Sequence, residues 1–117
     1  MNEYVLVVYS NPAPGREAEY NDWYNNQHPQ DVLKQPGYVS ARRFKLTDFK
    51  LDDAMPDPAH QYVAFYNMVT DDPEKALNEM KDRVNQGIIG LNEAMAPDFL
   101  AFCYAADCPL LDESQVK

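Results

Sequence analysis

The chain has 117 residues, 45% of them hydrophobic in type, including eight tyrosines, five phenylalanines and one tryptophan. That is enough for one packed core and too apolar for a disordered segment. Ten basic residues against 19 acidic ones leave a net charge of −9, which disfavours nucleic acid and anionic membranes as partners.

Residues 4–10 are almost wholly apolar and β-branched, the pattern of a strand buried on both faces. Asn11-Pro12-Ala13-Pro14-Gly15 stops it. A first helix is expected over 16–28, with Glu17 and Glu19 near its positive end. Residues 29–35 read as a short turn, broken by Pro36-Gly37. A second strand is expected over 38–46, with Tyr38, Ser40, Arg42, Phe44 and Leu46 on one side and Val39, Ala41, Arg43 and Lys45 on the other. Residues 47–60, rich in Asp and Pro, read as an acidic loop without EF-hand spacing. A third strand follows over 61–69. Asp71-Asp72-Pro73 opens a second helix whose apolar face is Ala76, Leu77, Met80 and Val84, and Gly87 is expected to end it. An apolar extension over 88–95 leads to a fourth strand over 99–106. Residues 1–106 therefore read as one domain, and 107–117 as a polar tail whose Leu110-Leu111 pair is suited to docking on a neighbour.

The order β-α-β-β-α-β is the split βαβ arrangement of an α+β, ferredoxin-like fold: a four-stranded antiparallel sheet with two helices on one face. Val5, Val7 and Tyr9 oppose Tyr4, Leu6 and Val8, so the face away from the helices is apolar too. Such a face associates when exposed. A second copy packed sheet to sheet, an isologous homodimer, is the expected cover.

The stretch from Tyr20 to Leu33 carries the strongest functional signal. On a helix, Tyr20, Tyr24 and His28 share one stripe, with Trp23 and Gln27 beside it. An unpaired buried polar group costs roughly 1–3 kcal/mol, so a plain core would use Leu, Ile and Val there. The stripe is read as an aromatic wall for a small molecule, closed by a titratable group just before Pro29. Tyr9, Tyr66 and Tyr104 are strand tyrosines able to contribute hydroxyls to the same cavity. Asn11 and Asn67 are amides needing a ligand or an internal network. Trp23 is equally suited to core and to pocket. Arg42 and Arg43 point to opposite faces, so one of them sits against sheet packing and seeks a carboxylate.

Taken together, Asn11-Pro12, Pro14-Gly15-Arg16-Glu17, Asp22-Trp23-Tyr24 with His28, Asp31-Val32-Leu33 and Pro36-Gly37-Tyr38 through Phe44 resemble the dimeric α+β barrel superfamily, close to its EthD-like branch. The resemblance covers about the first 46 residues; the second half matches by element order. It implies a homodimer with one small pocket per subunit, between the sheet and its helices. It also implies a pocket histidine acting as acid or base, which by position is His28, and an arginine before Phe44, which is Arg43, as an ion-pair former bordering the pocket. Gln27, Pro29 and the acidic insert at 48–57 depart from many relatives.

With an unperturbed pKa near 6.5, His28 is the leading acid/base candidate. Asp31 is placed to fix its tautomer and Tyr24 to donate to a substrate oxygen. His60 is expected at the surface. No metal site is expected from His28, His60 and Asp31, nor from Cys103 and Cys108, which lack zinc spacing. No GxGxxG, P-loop or GxSxG occurs. The leading reading is a cofactor-free cyclase, lyase or isomerase acting on an aromatic or polyketide-like carbonyl compound. The alternatives are a cofactor-independent monooxygenase and a non-catalytic small-ligand binder. With neither a signal-peptide pattern nor an apolar run of ~20 residues, the cytoplasm is the expected location.

Overall fold

The computed structural model describes residues 2–116. Its elements in chain order are β1 (Glu3–Ser10), α1 (Glu17–Asn26), α2 (His28–Leu33), β2 (Tyr38–Lys45), β3 (Tyr62–Val69), α3 (Pro73–Asn85) and β4 (Leu100–Ala105). A 3₁₀ turn lies over Glu113–Gln115. The sheet order is β2-β3-β1-β4, and every neighbouring pair is antiparallel. This is the ferredoxin-like α+β fold.

The register decides which side chains meet. Leu6 faces Tyr66 and Val8 faces Ala64 across β1 and β3. With Tyr62 and Met68 these residues look toward the helices, where Tyr20, Trp23, Tyr24, Val32 and Ala76 complete the core. Leu77 and Met80 of α3 pack against it. On the opposite face Val5 pairs with Tyr104, Val7 with Phe102 and Tyr9 with Leu100. Burial on the two faces is uneven: on the far face Val7 is buried, but Phe44, Leu100, Phe102 and Tyr104 remain exposed.

Two local features depart from the sequence pattern. The aromatic stripe is not one helix. α1 ends at Asn26, Gln27 leaves helical geometry (φ −135, ψ −57), and His28 opens α2 with Pro29 in its first turn. Proline lacks an N–H to donate and is tolerated only there. His28 therefore begins the second helix instead of closing the first.

The second departure is in β2, where the register shifts between Tyr38 and Ser40. One extra residue in a bulge turns a side chain to the other face. Tyr38 is consequently buried opposite Met68, on the same side as Ala41 and Arg43.

Asp72 caps α3, its carboxylate accepting from the Lys75 N–H at 3.0 Å, and Gly87 follows the helix with φ +76. Residues 88–95 form turns that bury Ile89, Ala94 and Met95. The acidic loop 47–60 is pinned by a 2.8 Å Lys50–Asp57 ion pair. Leu110 and Leu111 are exposed.

Candidate functional site

α1 and α2 carry the stripe onto the sheet, and the bend at Gln27 lets His28 meet three aromatic rings. Trp23 stacks on it with centroids 4.7 Å apart, Tyr24 meets it edge-on at 5.3 Å and Tyr66 at 6.3 Å. Beside this cluster is a cavity of about 130 Å³, walled by Leu6, Val8, Val32, Met80, Val84 and Met95 together with Tyr24, His28 and Tyr66. A dry cavity of roughly 150 Å³ holds one benzene ring, so this chamber takes a single ring.

Two buried polar atoms have no hydrogen-bond partner: His28 Nδ1 and the Tyr66 hydroxyl. Both residues line the chamber. Burial lowers the His28 pKa from 6.5 to about 4, against a smaller upward pull from the Asp31 carboxylate. The imidazole is therefore neutral at pH 7 and presents one donor and one acceptor nitrogen. Burial raises the Tyr66 pKa, and neighbouring Tyr24 adds to the effect. Tyr24 is raised by burial too. Both phenols remain protonated hydrogen-bond donors at neutral pH.

On its other side the Tyr24–Tyr66 pair borders a larger, open cleft of about 440 Å³, lined also by Gln30, Leu33, Ala41, Arg42 and Arg43. Arg43 is not matched with a carboxylate as expected. Its guanidinium donates to the side-chain oxygens of Asn21 and Asn25, four residues apart on α1. It also lies over the Tyr24 ring at 4.3 Å.

The remaining candidates are distributed differently. Tyr20 is fully buried, its hydroxyl 2.6 Å from Ser10 Oγ, and Trp23 backs His28; both are core behind the chamber. Asp31 lies 3.7 Å from Lys34 and makes no hydrogen bond to His28 Nδ1. Tyr9, Asn67 and Tyr104 lie on the far face of the sheet, separated from His28 by the strand alternation. Asn67 there donates to Ser40 Oγ at 2.9 Å. Asn11 is an internal clamp, donating to the Ala59 carbonyl and accepting from the Gln61 N–H.

His60 is not at the surface: its ring is largely covered and its Nε2 sits 2.9 Å from the Asp98 carbonyl. Among the described residues no three His, Cys, Asp or Glu side chains are grouped to hold a metal. The apolar lining from β1 and α3 carried no sequence signal beyond core. Asn21 and Asn25 carried one, as paired amides on one helical face.

Known structures of this architecture include SnoaB, a cofactor-independent oxygenase from Streptomyces nogalater. It is 15% identical, with 96% of this chain and 100% of that chain covered and a TM-score of 0.61. An EthD family protein from Bacillus halodurans is 12% identical over 91% of this chain and 99% of that one, at a TM-score of 0.54. The ActVA-Orf6 monooxygenase of Streptomyces coelicolor, in complex with nanaomycin D, is 13% identical over 95% and 92%, at 0.51. This chain shares the ferredoxin-like α+β fold of these structures, an EthD family protein among them. No protein-family model matches the chain, and no curated protein matches it significantly. Among the described residues, no helix is long and apolar enough to cross a membrane.

Proposed function

We propose that the chain is a cofactor-independent monooxygenase of small aromatic carbonyl compounds, with His28 as base and Tyr66 and Tyr24 as oxyanion donors. The observation that carries this reading is that two residues lining one apolar chamber, His28 and Tyr66, each carry a buried polar atom without a hydrogen-bond partner, which a side-chain rotation would turn toward a ligand there. Leaving each of them unpaired costs roughly 1–3 kcal/mol, which a ligand offering one acidic proton and one oxygen acceptor recovers.

His28 Nδ1 takes a proton from the substrate's phenol or activated C–H, and the electron pair stays on the substrate as an enolate or phenolate. The Tyr66 hydroxyl then donates to its oxygen. Moving a proton from a phenol of pKa ~10 to a base of pKa about 4 is uphill by roughly 8 kcal/mol. A turnover of order 10 s⁻¹ corresponds to a barrier of about 16 kcal/mol, so the step fits even before attraction within the new ion pair is counted. Dioxygen, an apolar gas suited to this lining, then takes electrons from the anion. One oxygen atom joins the ring carbon, the other leaves as water, and the substrate supplies both reducing equivalents. Similarity to oxygenases supports this fate over cyclisation, elimination or isomerisation, which share the first step.

The test is oxygen uptake with a panel of one- to three-ring phenolic ketones, without added flavin, nicotinamide or metal. His28→Ala is expected to fold and to lower uptake by about 10²–10⁴. Turnover that continues without oxygen favours the isomerase-type reading. Bound ligand recovered unchanged, with His28→Ala altering affinity alone, leaves a binder.

We infer further that the exposed face around Phe44, Phe65, Leu100 and Phe102 pairs with the same face of a second copy. One structure of this fold, from Jannaschia sp., is described as a dimeric ferredoxin-like protein (14% identity, TM-score 0.53).

A further inference from the structure

Arg43 stands where the chain's composition makes an unmatched cation least expected. Acidic residues outnumber basic ones 19 to ten, yet among the described residues Arg43 forms no ion pair. Neutral groups hold it instead. Asn21 and Asn25 accept from its two terminal nitrogens, and Tyr24, Tyr62 and Tyr20 present ring centroids 4.3, 5.1 and 5.3 Å from its guanidinium carbon. Aromatic faces and amide oxygens fix the orientation of a guanidinium without cancelling its charge. Of its five N–H donors, those two bonds leave others over.

Position gives this cation a use. Arg43 and Arg42 line the 440 Å³ cleft together, while Tyr24 and Tyr66 belong to both the cleft and the inner chamber. The Tyr24 ring is 4.3 Å from the guanidinium and 5.3 Å from the His28 ring. Tyr24, in contact with both, is part of the wall that the cleft and the chamber share. We propose that Arg43 anchors an anionic oxygen group, a carboxylate or an acidic phenolate, on a ring-bearing ligand that occupies this cleft. Local positive charge offsets the repulsion that a chain of net charge −9 exerts on such a ligand.

The test is calorimetric titration at pH 7.5 and low salt with three probes: methyl 2-naphthoate, 2-naphthoate and 1-nitro-2-naphtholate. At least one anion is expected to bind tenfold or more tighter than the neutral ester. Arg43→Gln removes that advantage, Arg43→Lys keeps part of it, and neither changes ester affinity. A gain for both anions supports recognition of any ring-borne anion, and a gain for 2-naphthoate alone narrows it to carboxylates. Equal binding of acid and ester, or an advantage that survives Arg43→Gln, overturns the proposal. Tyr66→Phe separates it from the chamber reading. An ester indifferent to Tyr66→Phe removes the chamber but leaves an Arg43-dependent anion preference standing. Acid and ester binding equally, and weakened together by Tyr66→Phe, does the reverse. Failure of all three probes to bind overturns both.

Discussion

His28 gives a direct test of burial at the site. Its folded-state pKa is about 4 against an ordinary 6.5, lowered by burial, so the unfolded chain takes up a proton first as pH falls. The stabilisation from keeping the imidazole neutral is complete above pH ~6.5 and is lost as pH drops toward 4, at up to about 1.4 kcal/mol per unit. The total is about 3 kcal/mol, a large share of the 5–15 kcal/mol that usually separates folded from unfolded protein. The 19 acidic residues titrate over part of the same window, so the quantity to measure is a difference. Urea unfolding of wild type and His28→Gln, at one protein concentration and at intervals between pH 7.5 and 4, isolates the histidine. Wild type should lose about 3 kcal/mol more than the variant. With only two histidines in the chain, a proton NMR titration assigns the pKa directly. Parallel stability curves, together with an imidazole titrating near 6.5, would refute the buried, unpartnered His28 on which the chemistry depends.

Tyr66→Phe deletes a buried hydroxyl that has no partner. It should raise the stability of the ligand-free protein by about 1 kcal/mol or more in urea titrations while lowering oxygen uptake at least tenfold. Ser10→Ala strands the Tyr20 hydroxyl it meets at 2.6 Å, and urea unfolding should show a loss of about 1–3 kcal/mol with little change in ligand affinity. Phe102→Glu puts a charge on the open sheet face, where Phe102 pairs with Val7. If that face pairs as proposed, sedimentation should find wild type as a dimer and the variant as a monomer.

Most of the fold was legible because strands and helices announce themselves by period. Residues 4–10, 61–69 and 73–87 carried unambiguous patterns, and the observed elements agree within two residues at each end. Two features were not local in the same sense. The bulge at Tyr38 depends on what β3 offers across the sheet, and no alternation within β2 alone reveals it. The break at Gln27 follows from Pro29, whose effect a reader can place on either side of His28. The site was legible in part: Tyr24, His28 and Tyr66 line one chamber. Tyr9, Asn67 and Tyr104 belong to odd and even registers that place them behind the sheet, and only knowledge of which face the helices cover separates them. Asp31 was matched to His28 by spacing, but its ion pair is with Lys34, the residue that caps α2.

If Arg43 and Tyr66 bind a ligand as proposed, both are held in a way that keeps binding capacity in reserve. A carboxylate placed beside Arg43 would satisfy its charge and rigidify the cleft, yet it would also occupy the position an anionic ligand needs. Two amides orient the guanidinium and leave that position open. The same logic applies inside the chamber, where a partner for Tyr66 would stabilise the empty protein and compete with the substrate oxygen. Replacing Asn25, which holds Arg43 from α1, with Asp tests the point: the new carboxylate should stabilise the fold and at the same time weaken binding of 2-naphthoate relative to its methyl ester. If binding of the acid is instead untouched, the guanidinium is a structural cation and its neutral neighbours have no bearing on recognition.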